Sequence, residues 1–238
     1  MPVFDTGKSL AAIQARLREL NRPDTRIIAV SKTHGPERIE ELLRHGQRDF
    51  GETRGNEGRD KFPLVKVDDI AEDARPIYHH IGPLQSGGAR QLPGVFSWVH
   101  GASSLKAIRI LGEAALRARD AGAPPMNYLI QARLTDEETK AGGMPAAEIR
   151  ALDEFPGNDA LHFRGFMTMG PQDQDPGRTR EVFHELRELR DELVPDGELS
   201  MGMSGDWEIA AAEGATMIRL GSVLFGRRGA GPWKPTES

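Results

Sequence analysis

Short apolar runs alternate with longer stretches in which apolar residues return every three or four positions, and this alternation covers nearly the whole chain. The short runs predict strands at residues 26–31, 48–51, 76–81, 95–100, 126–131, 161–167, 198–201 and 216–220. The amphipathic stretches predict helices at 5–20, 36–45, 56–61, 103–121, 146–155, 178–193 and 206–213, with a last helical turn opening at Ser222. Leu10, Ile13, Leu17 and Leu20 form one such stripe. Pro36 starts a helix, whereas Gly46, Gly122 and Gly214 stop three of them.

An unbroken strand–helix alternation implies a parallel sheet, and eight strands are the number that closes a (β/α)8 TIM barrel. An open doubly wound sheet is the rival. It usually carries a glycine-rich fingerprint after its first strand, and Ser31-Lys32-Thr33-His34-Gly35 is not one. A chain of 238 residues suits a single α/β barrel domain, expected over residues 1–228, with a loose Gly/Pro/charge-rich tail at 229–238.

Composition narrows the function classes. Lys plus Arg number 31 against 36 Asp plus Glu, a net charge of -5, which leaves no basic footprint for nucleic acid. With no cysteine there is no disulfide, no thiolate catalysis and no Cys-based zinc site. The start has neither the basic nor the apolar segment of a leader, and no apolar run approaches the ~18 residues that span a membrane. A monomer in the cytoplasm is expected.

Lys32 is the first candidate for chemistry. Ile28, Val30 and Lys32 share one face of the first strand, so an ammonium stands in line with two core residues. Such a lysine loses charge easily and can attack an aldehyde; the alternative is that it leaves the strand for water. At the other end of the chain, Met217 and Arg219 alternate with Ile218 and Leu220. If the latter pair meets the outer helices, Arg219 points into the barrel mouth. Gly221-Ser222 then opens a helix, and Ser200-Met201-Gly202-Met203-Ser204-Gly205 follows strand seven. Barrels bind phosphate in these two loops, although ordinary turns with Ser204 as a helix cap fit the same residues. Lysine and phosphate site together suit pyridoxal phosphate, or a Schiff-base aldolase acting on sugar phosphates.

Other signals are weaker. His79 and His80 are adjacent on a strand and face opposite ways, so they do not readily share a metal. Gly51-Glu52-Thr53-Arg54 either lines the mouth or forms a salt-bridged loop.

Six segments resemble, in order, the YggS/PROSC family of pyridoxal-phosphate-binding proteins: Ala29-Val30-Ser31-Lys32-Thr33, Gly46-Gln47-Arg48-Asp49-Phe50-Gly51-Glu52, His79-His80-Ile81-Gly82-Pro83-Leu84-Gln85-Ser86, Gly165-Phe166-Met167-Thr168-Met169, Leu199-Ser200-Met201-Gly202-Met203-Ser204-Gly205-Asp206 and Ile218-Arg219-Leu220-Gly221-Ser222. The resemblance implies a barrel of the alanine racemase N-terminal type and involvement in pyridoxal phosphate homeostasis and in amino- and keto-acid balance, without an established catalytic turnover. It implies a cofactor aldimine on Lys32, with Ser204, Gly221 and Ser222 at the phosphate and Arg219 at the pyridine nitrogen. It also brings Met203, Met167, Thr53 and His79 to the cofactor, and suggests apoenzymes that use the cofactor as acceptors. Departures from the family pattern are Thr53 where Asn is usual, His80 for Phe, Gly87-Gly88 for Asn-Lys, and Ala141 in Lys140-Ala141-Gly142 for Ser.

Two enzyme readings compete. A racemase of the alanine racemase type needs two bases. The second base of those enzymes is a tyrosine from a C-terminal domain, and the only tyrosines here, Tyr78 and Tyr128, fall in predicted strands. A Schiff-base aldolase would bind no cofactor.

Overall fold

A computed structural model describes residues 4–134, 142–226, 231, 233 and 234. Eight of its strands build the barrel: β1 (Arg26–Val30), β2 (Asp49–Glu52), β3 (Ile77–Pro83), β4 (Trp98–Ala102), β5 (Met126–Arg133), β6 (Leu161–Met167), β7 (Glu198–Ser200) and β8 (Met217–Leu220). Each pairs in parallel with the next, and β8 returns to β1 with Arg26 opposite Met217 and Ala29 opposite Leu220. The sheet is therefore a closed barrel. A two-residue strand, Met144–Pro145, adds to the end of β5.

Helices cover the outside: α1 (Thr6–Glu19), α2 (Pro36–Arg44), α3 (Gly55–Lys61), α4 (Ser86–Ala89), α5 (Leu105–Asp120), α6 (Ala146–Arg150), α7 (Pro176–Leu193), α8 (Trp207–Ala212) and α9 (Ser222–Phe225). Asp5, Ser104 and Asp175 cap α1, α5 and α7 by accepting from backbone N–H groups three residues on. The expected helix at 146–155 ends early, at Arg150. The short α4 has no signal in the sequence, since Ser86-Gly87-Gly88-Ala89 carries two poor helix formers and no stripe. Most of the expected tail, and Lys140-Ala141, lie outside the described residues.

Strand alternation divides the core in two. Ile27, Ala29, Phe50, Ile218 and Leu220 face outward into a large apolar layer beneath the helices. Ile28, Trp98, Leu129, Met167 and Met217 fill the barrel interior. The interior is unusually polar at its centre: His79 and His100 are fully buried there, joined by Ser200 and Arg219. Among the described residues no helix is long and apolar enough to cross a membrane.

Candidate functional site

The carboxyl ends of the strands surround a cavity of about 380 Å³. Lys32, Thr53, Met167, Met203, Ser204, Arg219, Gly221 and Ser222 all line it. Eight of the nine residues expected at the site thus converge from five different strand ends. A second cavity of about 430 Å³, reaching Arg133 and Asp206, shares Gln131, Met169, Gln174, Met203 and Gly205 with the first.

Lys32 is a correction in detail. Strand β1 ends at Val30, and Lys32 sits half-buried in the turn beyond it. Strand alternation still carries over, because Ile28 fills the interior while Val30 and Lys32 line the cavity. Ser31 N–H donates to the Gly51 carbonyl at 2.9 Å, which keeps the chain in line with β2 one residue past the strand. Thr33 then turns into the left-handed region at φ 70°.

Arg219 enters from β8 as expected, nearly buried, with Ile218 and Leu220 turned to the outer layer. Its Nη1 donates to Ser200 Oγ at 2.8 Å and its Nη2 to the Thr168 carbonyl at 3.0 Å. Burial pulls its pKa down to about 10, against the attraction of Asp206, so the guanidinium stays charged at neutral pH. Asp206 accepts from Met203 N–H at 2.5 Å, and burial raises its carboxyl.

The turn between β8 and α9 faces Ser204. Ser204 Oγ accepts from Gly221 N–H at 3.3 Å, so it ties the two loops together and does not cap α8. That acceptance leaves its hydroxyl proton for another partner. Gly202 makes this loop possible: its φ is 91°, and a Cβ there would stand 2.5 Å from the Ala210 Cβ. Gly82, on the opposite wall, has its own constraint, since a Cβ would meet the Thr53 carbonyl oxygen at 2.1 Å.

His79 is the exception among the expected residues. It does not line the cavity but lies deeper, stacked on Trp98 with ring centroids 5.8 Å apart. Ile81, two residues along β3, takes the place at the mouth. His79 connects to the site indirectly. Its Nε2 lies 2.8 Å from Asp49 Oδ1, its Nδ1 2.9 Å from His100 Nε2, and His100 Nδ1 2.8 Å from Ser200 Oγ. Burial lowers the pKa of both histidines, and Arg219 and Arg26 push His100 further in the same direction. Two neutral imidazoles leave one self-consistent arrangement. His79 donates to Asp49, His100 donates to His79, Ser200 donates to His100, and Arg219 donates to Ser200. His80 faces the other way, against Phe96.

Gln131, Gln174, Ile81 and Met169 belong to the cavity and were missed. Gln131 had a signal: it stands two residues after the inward Leu129 on β5. Gln174 is a non-glycine residue at φ 53° in a loop, which no sequence pattern announces.

The chain is similar to several known proteins. Residues 9–229 match the family described as alanine racemase, N-terminal domain. A pyridoxal phosphate homeostasis protein of Pseudomonas aeruginosa is 35% identical over 232 residues, covering 93% of this chain and 95% of the relative. One from Escherichia coli is 34% identical, with 85% of each chain covered. The solved structure of PipY from Synechococcus elongatus with PLP bound superposes with a TM-score of 0.76 at 31% identity, over 93% of this chain and all of the other. Alanine racemase of Clostridium difficile, at 15% identity and a TM-score of 0.63, shares the fold over 58% of its length.

Proposed function

The chain belongs to the alanine racemase N-terminal-domain family, and on that premise we propose that it binds pyridoxal 5′-phosphate at the barrel mouth and serves pyridoxal phosphate homeostasis. The observation that carries this reading is the convergence of an amine, a buried guanidinium and two hydroxyls from facing loops on one cavity of suitable size. Bound there, pyridoxal phosphate supplies an aldehyde to the amine and a dianion to the two loops. In this reading Lys32 attaches to the cofactor covalently. Ser204, Ser222 and the backbone at Gly221 hold the phosphate. Thr53, Met167 and Met203 form the walls, while Val30 and Ile81 exclude water.

Arg219 presents a permanent cation toward the ring. A cation beside a pyridine nitrogen disfavours its protonation, which weakens the ring as an electron sink. Holding or delivering the cofactor, with apoenzymes as acceptors, suits such a site better than broad catalysis. The racemase reading gains nothing from the two tyrosines. Tyr78 stacks on Phe62, and the Tyr128 hydroxyl donates to the Pro156 carbonyl, both away from the cavity. A cytoplasmic location accompanies the reading.

The test is direct. Purified protein saturated with cofactor should show the absorbance of the lysine-bound form, and borohydride followed by peptide mapping should find the adduct on Lys32. Lys32→Ala should lose that band and keep noncovalent binding. A wild-type protein that takes up no cofactor refutes the reading.

A further inference from the structure

Lys61, at the end of α3, is 29 residues from Lys32 and outside the cavity, yet its side chain is completely buried. A buried ammonium is expensive unless it is paired and hydrogen-bonded. Lys61 Nζ meets both conditions. It donates to Glu52 Oε2 at 2.6 Å, to the Ser31 carbonyl at 2.9 Å and to the His34 carbonyl at 3.1 Å, and lies 3.6 Å from Glu57 Oε1. The two carbonyls bracket Lys32 and Thr33. Glu57 Oε1 in turn accepts from Thr33 N–H at 2.9 Å, and Glu52 Oε1 from Thr53 N–H at 2.8 Å. The far side of the same loop is fixed too, because the His34 ring stacks on Phe225 at the end of α9, 4.8 Å between centroids.

We propose that the buried cluster of Lys61, Glu52 and Glu57 is a positioning device for Lys32, holding the turn that aims its amine into the cavity. Three of the four backbone groups it engages belong to residues 31–34, and the fourth is Thr53, a wall of the same cavity. The left-handed Thr33 is the strained point of the turn, and Glu57 grips it at its amide. An isolated lysine turn would sample many amine positions. Covalent attachment needs the amine within reach of the aldehyde along a narrow approach, and misplacement by about 1 Å can cost a hundredfold in rate.

The inference rests on the proposed attachment of the cofactor to Lys32, and the experiment separates the two. In Lys61→Met, the rate of covalent attachment of pyridoxal 5′-phosphate should fall by about tenfold to a hundredfold. Affinity for pyridoxamine 5′-phosphate, which has the ring and phosphate but no aldehyde, should stay within about twofold, because the ring and phosphate contacts are intact. Backbone amide exchange at residues 32–35 of the cofactor-free protein should accelerate, while the loops after β7 and β8 keep wild-type protection. Should Lys61→Met fail to fold, Glu57→Ala, which keeps the Lys61–Glu52 pair and frees the Thr33 amide, carries the same test. Attachment at the wild-type rate, or an equal loss of both ligands, overturns the inference. If the wild-type protein attaches no cofactor, the functional reading fails by itself, and exchange at residues 32–35 still decides whether the cluster holds the turn.

Discussion

The chain of hydrogen bonds from Arg219 to Asp49 makes a quantitative prediction that needs no cofactor. Replacing His100 with Leu keeps the volume nearly constant and removes two bonds, of 2.8 Å to Ser200 and 2.9 Å to His79. It also leaves His79 Nδ1 bare in the barrel centre. Each net bond contributes about 0.5–1.5 kcal/mol, and an orphaned buried polar group costs about 1–3 kcal/mol. Apolar contacts made by the new side chain offset part of this, so a loss of about 3 kcal/mol is expected. For a chain of this length that lowers Tm by about 6–12 °C. His79→Leu should cost a similar amount, since it strands the His100 Nε2–H and a contact of Asp49. In the double variant both orphans at the imidazole–imidazole joint disappear and their bond is not lost twice. The double variant should therefore be more stable than the sum of the singles predicts, by about 2 kcal/mol. Urea unfolding of the cofactor-free proteins above pH 7, where histidines are neutral folded or unfolded, measures all three. Costs that add within about 0.5 kcal/mol would show that the two rings do not share the bond and that the chain is not connected.

Further expectations are independent of that cycle. Ser204→Ala with Ser222→Ala should weaken pyridoxal phosphate binding tenfold or more, from ~1.5–3 kcal/mol per charged hydrogen bond, and leave unphosphorylated pyridoxal nearly unaffected; equal losses for both ligands would mean the serines do not read the phosphate. Burial lowers the pKa of His80 from 6.5 to about 4. Above pH 6.5 it therefore contributes nothing, and as pH falls through that window the unfolded chain binds a proton the folded chain refuses. Stability should drop by about 1.4 kcal/mol per unit there, and His80→Phe should remove about 3 kcal/mol of that loss by pH 4. The difference between variant and wild type isolates His80 from Glu52 and Asp206, whose raised carboxyls act with the opposite sign. Gly202→Ala should destabilise by about 2 kcal/mol or more, because the left-handed backbone and the contact with Ala210 both resist a Cβ. Cofactor-saturated protein should interconvert D- and L-alanine far more slowly than about 1 per second, and chiral chromatography checks this.

The order of strands and helices was legible in the chain, and so was an inward face for the first and last strands of the barrel. Both are local properties, carried by periods of two and 3.6 and by proline and glycine at the ends. That is why Arg219 could be turned inward from the spacing of Ile218 and Leu220, and why Lys32 follows Ile28 and Val30 to the same face. With the family resemblance, it also assembled eight of the nine site residues on one cavity. It could not say how high a residue sits inside the barrel. Height follows from the register between neighbouring strands, here His79 opposite Gly51 and Trp98. His79, expected at the cofactor, faces the interior but lies one side-chain repeat, about 6.6 Å, below the mouth that Ile81 reaches. Nor could periodicity reveal which buried polar groups meet. Lys61 closes an ordinary helical stretch, and its partners Ser31 and His34 come from another loop. A local pattern records that a side chain is buried; only the closed barrel, which brings β8 back to β1 and packs α3 under the β1 turn, decides what it is buried against.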